Sequence, residues 1–314
     1  MRQSSMLAIL VLLTSFVAEA QQGVLFVQKP DPSVPPFGVQ LRRSVVNVEL
    51  QCKEGNLLIS ENGTGFVVAY PDPRLPKGSG FDYLVTNRHV AECWDDNKHP
   101  RDIQSLVIRM NAKDGSSRTL GANPRAWRVP NDDSVDLAVM PIVPSADVQI
   151  VVISVDDFAT KDFMSSNQIA EGSPIILSGY FYQFPGEHRF QPIVRQGILS
   201  MIPDEPMETT TGKSGTVYLG DVHIFGGNSG SPVLISADSL HIGGYHLLGV
   251  ASGFYRENEE FALEIATTVK GTALVNSGIA LIVPADFLKA LLDGPELKGS
   301  REAYFTSQAK SAEK

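Results

Sequence analysis

The segment Gly226-Gly227-Asn228-Ser229-Gly230-Ser231-Pro232 sets a serine among glycines, between the apolar runs Val217-Tyr218-Leu219 and Pro232-Val233-Leu234-Ile235. Glycine tolerates positive φ and close backbone approach, so such a turn can push a serine Oγ outward. It can also aim the backbone N–H groups of Gly227 and Ser229 at one point, as stabilising a developing oxyanion requires. A hydroxyl is a weak nucleophile and needs a neighbouring base, itself oriented by a third group. Two residues qualify. His89 follows the strand-like Tyr83-Leu84-Val85-Thr86 at the start of a helix-compatible turn, and Asp136 stands alone in the apolar Ser134-Val135-Asp136-Leu137-Ala138-Val139-Met140. A lone acid at the edge of an apolar strand is costly unless it is hydrogen-bonded. Each residue also has an ordinary reading, as a turn serine, a helix-start histidine and a strand-end cap. Their joint presence favours nucleophilic catalysis.

The elements that must carry these groups read as β. Short apolar runs bounded by turn residues recur from Val45 to Val283, a pattern that points to a barrel or sandwich. Ala285 to Leu292 reads as a short amphipathic helix with Pro284 before it, and residues 295–314 as a loose polar tail. At the other end, Arg2, the apolar stretch Met6 to Val17 and Ala18-Glu19-Ala20 form a secretory signal over residues 1–20, too short to span a membrane. A proline-dense arm is expected over residues 21–43. The expected location is therefore extracellular or periplasmic, with no membrane span. Cys52 and Cys93, the two cysteines, are a candidate disulfide in an exported chain. They make a poor zinc site alone, and with no CxxC or HExxH present neither metal nor cofactor is expected. The net charge of −9, with no long basic run, argues against nucleic acid as the partner.

From Gly63-Thr64-Gly65-Phe66 through Val85-Thr86-Asn87-Arg88-His89-Val90 and Asp136-Leu137-Ala138-Val139 to Gly227-Asn228-Ser229-Gly230-Ser231-Pro232 and Leu248-Gly249-Val250-Ala251-Ser252-Gly253, the chain resembles the trypsin-like (chymotrypsin-fold) serine peptidases. Thr-Asn-x-His-Val and Gly-Asn-Ser-Gly-Ser-Pro resemble the bacterial branches of glutamyl endopeptidase and the HtrA-type proteases, with no PDZ domain expected after residue 294. The resemblance implies an all-β fold of two antiparallel six-stranded barrels, residues 44–160 and 161–294, the second ending in the closing helix. It implies a His89–Asp136–Ser229 triad in the order expected for this fold, an oxyanion hole at Gly227 and Ser229, and protein or peptide substrates cleaved through an acyl-enzyme.

The same resemblance assigns the substrate pocket to His223, Ile224 and Phe225 before the turn and to Ser252, Gly253 and Phe254 in the following strand. No acid stands among His223, Ile224 and Phe225, which disfavours cleavage after Lys or Arg. His223 reads equally as a solvent-facing strand residue, and Phe254 would narrow the pocket. A bridge between Cys52 and Cys93 would fit the family's habit of a disulfide beside the catalytic histidine. Asn228 stands where animal digestive proteases keep an aspartate that pairs with a newly cut N-terminus, so activation by that route is not expected. The alternative function is a protease-fold binding module that keeps the three residues without turnover.

Overall fold

The structure is a computed structural model that describes residues 35–95, 99–237, 244–264 and 268–312. The expected signal segment and most of the expected arm lie outside the described residues. What is described of the arm is helical. α1 (Phe37–Arg43) begins directly after Pro36, whose fixed φ suits a helix start.

The first lobe contains β1 (Val45–Glu54), β2 (Leu57–Pro71), β3 (Gly80–Thr86), the four-residue helix α2 (Arg88–Ala91), β4 (Ile103–Asn111), β5 (Ser117–Ala122), β6 (Ala138–Pro141) and β7 (Ile153–Ser154). The strands form one seven-stranded sheet in the order β5-β4-β1-β2-β3-β6, with β7 added parallel to β2. This six-strand path, with one further strand added to it, is consistent with the six-stranded barrel expected for residues 44–160. Beyond β5 the chain returns to β6, where Arg128 and Val139 exchange both backbone hydrogen bonds, at 2.8 and 2.9 Å. The stretch Pro124–Ala126 is a 3₁₀ turn with only this bridge after it. Pro124 has no N–H to give a ladder. The core is apolar, with Val48, Leu50, Phe66, Leu84 and Ile108 fully buried.

The second lobe opens with α3 (Lys161–Ser166), capped by the Thr160 side chain. It continues through β8 (Pro174–Gly179), β9 (Ile193–Met201), the short β10 (Met207–Glu208) and β11 (Ser214–Gly215), then β12 (Tyr218–Asp221), β13 (Pro232–Ser236), β14 (Tyr245–Glu264) and β15 (Thr268–Pro284). Six of these close a barrel in the order β12-β15-β14-β13-β8-β9, as the chymotrypsin-like fold requires. β14 and β15 run well past the spans that their apolar residues mark, as a paired ladder reaching Glu264 and Thr268. Backbone pairing continues there where the apolar alternation that reveals a strand in sequence has stopped.

α4 (Ala285–Asp293) closes the barrel as expected. The polar tail, by contrast, is an 18-residue helix, α5 (Pro295–Ala312). It docks through few and partly polar anchors. Leu297 and Arg301 are buried. The Arg301 guanidinium stacks on the Tyr70 ring at 3.8 Å and donates to Tyr83 Oη and the Leu292 carbonyl. Arg74 bonds Glu302 and lies over the Phe305 ring. A planar cation on an aromatic face supplies burial that an apolar stripe normally signals, so the helix has no such stripe to read.

Cys52 on β1 and Cys93 just after α2 are joined in a disulfide with Cα atoms 5.9 Å apart. The bridge closes a sequence separation of 41 and pins the segment carrying His89 to the central strand. Closing such a loop is worth about 4 kcal/mol on chain-entropy grounds. Cys52→Ser with Cys93→Ser is therefore expected to lower Tm by roughly 8–16 °C, read by calorimetry against the oxidised protein. An equal Tm in the two proteins would contradict it.

Candidate active site

His89 is the second residue of α2, and its register is set from both sides. Thr86 Oγ1 donates to the Thr64 carbonyl at 2.7 Å. Asn87, fully buried, donates from Nδ2 to the backbone carbonyl of Asp136 at 2.8 Å, while its own carbonyl starts the helix by accepting from Val90 and Ala91. Asp136 lies two residues before β6, in the connection and not within the strand. At 1% exposure its charge must be compensated by donors. Oδ1 accepts the His89 backbone N–H at 3.0 Å, and Oδ2 faces His89 Nδ1 at 2.7 Å. Ser252 Oγ stands 2.6 Å and Thr210 Oγ1 2.8 Å from the same Oδ2.

The electrostatics follow from these contacts. Burial works against the Asp136 charge, but the His89 charge and the hydrogen bonds from His89 and Ser252 outweigh it and hold the carboxyl below the usual carboxylate range. Burial likewise works against a charged His89, but Asp136 and then Glu61 outweigh it, so the imidazole pKa is raised. Glu61, on β2, is half-buried, and burial raises its own pKa against the pull of Arg101 and His89.

Ser229 is presented by the turn between β12 and β13. The Asn228 N–H bonds the Phe225 carbonyl at 2.9 Å. Gly227, third residue of that turn, has φ +91°, the sign that distinguishes a type II turn and favours glycine. A Cβ on Gly227 would also come within 2.6 Å of the Tyr180 ring. The turn is held by its own side chains and by the other lobe. Buried Asn228 accepts the Phe225 N–H at 3.0 Å and donates to the Tyr180 carbonyl at 2.8 Å. Thr64, on β2, donates its hydroxyl to the Gly227 carbonyl at 2.7 Å, and its N–H to the Ser229 carbonyl at 2.8 Å. Gly230 must approach closely, since a Cβ there would lie 1.9 Å from the Thr64 carbonyl oxygen. Among the described residues neither the Gly227 nor the Ser229 N–H has an acceptor. Ser229 Oγ donates to the Ser252 carbonyl at 3.2 Å, and among the described residues no hydrogen bond joins it to His89.

Ser252 is thus the link between the halves of the site: its hydroxyl meets Asp136 and its carbonyl meets Ser229. The other expected pocket residues divide. Ile224 is 1% exposed and packs inside the second barrel, so it is not an open pocket wall. Its neighbours alternate outward, as extended backbone dictates. His223 is exposed beside Gly278, and Phe225 is partly exposed beneath the Arg195 guanidinium. Gly253 lies under the Thr210 methyl, which an added Cβ would meet at 2.6 Å, and Phe254 packs partly against the barrel core. A cavity of about 330 Å³ opens beside His89, walled among others by Trp94, Asp133, Thr210 and Lys213. Thr210, Glu61 and the anchoring role of Thr64 have no counterpart in the sequence reading, although Thr64 lies in a segment that reading singles out.

Residues 63–243 match the family described as the trypsin-like peptidase domain. No curated protein matches the chain. Among solved structures, a variant of the HtrA-type protease AlgW with a tripeptide is 17% identical with a TM-score of 0.49, covering 81% of this chain and 60% of that one. AlgW itself with a tripeptide is 17% identical at 0.47, covering 81% and 62%. Deg5 is 20% identical at 0.46, covering 80% and 87%. The chain thus spans about three-fifths of the length of the AlgW chains.

The raised His89 pKa has a direct check. The His89 ring, followed by NMR, is expected to titrate above the ordinary value of 6.5. Glu61→Gln should lower that pKa and Asp136→Asn should lower it further, because each removes a negative charge that favours imidazolium. An unchanged titration in Asp136→Asn would contradict the assignment.

Proposed function

The chain belongs to the trypsin-like peptidase family, and from that premise we propose an exported serine endopeptidase in which Ser229 is the nucleophile, His89 the general base and Asp136 the orienting carboxylate. The observation that carries the reading is the continuous polar path from His89 through Asp136 and Ser252 to Ser229, set beside two N–H groups with no acceptor among the described residues.

The chemistry follows. Nδ1 of His89 is held by Asp136, which places the ring proton there and leaves Nε2 as the base. The Ser229 hydroxyl turns from the Ser252 carbonyl towards Nε2, loses its proton to it and attacks the substrate carbonyl carbon. Charge then develops on the carbonyl oxygen, where the Gly227 and Ser229 N–H groups stabilise it. The imidazolium, favoured by Asp136, returns the proton to the leaving amine, and an acyl-enzyme remains. Water, deprotonated by the same ring, attacks the ester and restores Ser229. The type II turn supports a hole that exists without chain cleavage, because Asn228 is satisfied within the chain. The signal segment and the Cys52–Cys93 bridge support export to an oxidising compartment. Protein or peptide chains are the proposed substrates.

One observation favours the second reading, a binding module without turnover: the resting Ser229 hydroxyl bonds a carbonyl and not the imidazole. Such bonds often form only in the substrate complex. A fluorophosphonate probe and casein hydrolysis separate the readings. Ser229→Ala should abolish labelling and lower kcat by about 10⁴ or more, and labelling that survives the substitution removes the peptidase proposal. Because only neutral His89 acts as base, kcat/KM should rise with pH along a limb above 6.5. Gly227→Ala, strained at this φ, should cost about 10²–10³ in kcat while His89 titrates as before. Full activity in that variant would remove the proposed oxyanion hole.

A further inference from the structure

The connection from β9 to β12 does more than join two strands. Residues 207–215 fold back as a small hairpin, with Met207 paired to Gly215 and Glu208 to Ser214. Its tip is tightened by the Thr209 N–H on the Lys213 carbonyl and the Gly212 N–H on the Thr209 carbonyl, both at 2.9 Å, with Gly212 at φ +73°. Tyr255 on β14 holds one side of it through the Glu208 carbonyl at 3.3 Å. The other side reaches the first lobe, where Gly215 presses on Ser134, two residues before Asp136, closely enough that a Cβ would lie 2.5 Å from Ser134 Oγ. The hairpin therefore spans the cleft, and the residue at its crossing point is Thr210.

Resting on the peptidase reading above, we propose that Thr210 is a positioning residue for the Asp136–His89 pair, supplied across the cleft by the second lobe. Its hydroxyl lies 2.8 Å from Asp136 Oδ2 and 2.5 Å from Ser252 Oγ, which is itself 2.6 Å from the same Oδ2. These three oxygens share two hydroxyl protons, so only two of the three edges are hydrogen bonds at any time. Either both hydroxyls donate to the carboxylate, or one donates to it and is backed by the other. In each arrangement Thr210 adds a positive dipole end to the cluster facing His89, and its methyl, seated on Gly253, fixes its rotamer. Removing the hydroxyl leaves the carboxylate charge less compensated and the imidazolium more favoured. The His89 pKa then moves up and the acid limb of kcat/KM moves with it. The other charged groups near His89, namely Glu61 on β2, Arg88 and Glu92 around α2, Asp133 and Lys213, are unchanged by this substitution.

The test compares Thr210→Val, which keeps the branched shape and removes the hydroxyl, with Thr210→Ser, which keeps the hydroxyl and removes the methyl. Thr210→Val is expected to lower kcat/KM by about tenfold, chiefly in kcat, and to shift the His89 NMR titration upward. Thr210→Ser should restore both. If Thr210→Val does not fold, Thr210→Ala gives the same reading with less steric demand. A His89 titration and kcat/KM within twofold of wild type in the hydroxyl-free variant overturns the proposal. So does an equal loss in Thr210→Ser, which would assign the effect to packing on Gly253. The titration needs no turnover, so the two readings fail separately. A wild-type protein without Ser229-dependent hydrolysis removes the peptidase function, whereas an unmoved titration removes the role of Thr210.

Discussion

The constraint on which the rest of the structure depends is the burial of the Asp136 carboxylate. An ionised group withdrawn from water stays ionised only if donors replace the solvent, and breaking such a cluster typically costs about 3–5 kcal/mol. Its donors come from three places far apart in the chain: the start of α2, the hairpin tip at Thr210 and β14 at Ser252. The first belongs to one lobe and the other two to the second. Each lobe supplies part of the solvation that the buried charge requires, so the charge acts as a register mark for how they meet.

The glycine turn is subject to the same rule from the opposite side. Ser229 sits in the second lobe, but the carbonyls of Gly227 and Ser229 are both occupied by Thr64 of the first. Thr64 also receives the Tyr180 N–H on its hydroxyl, and the Tyr180 carbonyl accepts from Asn228. One threonine and one asparagine therefore satisfy the polar groups that a tight, glycine-rich turn exposes on its inner side. That leaves the Gly227 and Ser229 N–H groups, proposed above to receive a substrate oxygen, without an acceptor among the described residues. Preorganisation of this kind lowers the reorganisation that charge development would otherwise demand.

Peripheral features hold this joint in place. The disulfide anchors the end of α2 to β1, α4 closes the second barrel, and α5 returns to the outer face of the first lobe through Arg301. Among the described residues no helix is long and apolar enough to cross a membrane.

Much of this was legible before any fold was known. The Gly-rich context of Ser229, the strand-to-helix step at His89 and the isolated acid at Asp136 are local signals, because glycine, alternation and a lone charge act on their own neighbourhood. The strand-rich pattern and the closing helix are legible for the same reason. What escaped is non-local. Thr210 and Asp136 are 74 residues apart in sequence, and nothing in a Thr-Thr-Thr run says which hydroxyl will cross a cleft. Ile224 read as a wall and lies in the core because alternation along the extended segment after β12, not proximity to Ser229, sets which side chains are buried. α5 read as a tail because its anchor is an arginine on a tyrosine. The sequence by itself determined which chemistry is possible and which segments are extended. The tertiary structure alone decided which polar groups solvate which charge, since hydrogen bonds between lobes depend on barrel closure and loop path, and neither is encoded within a single strand.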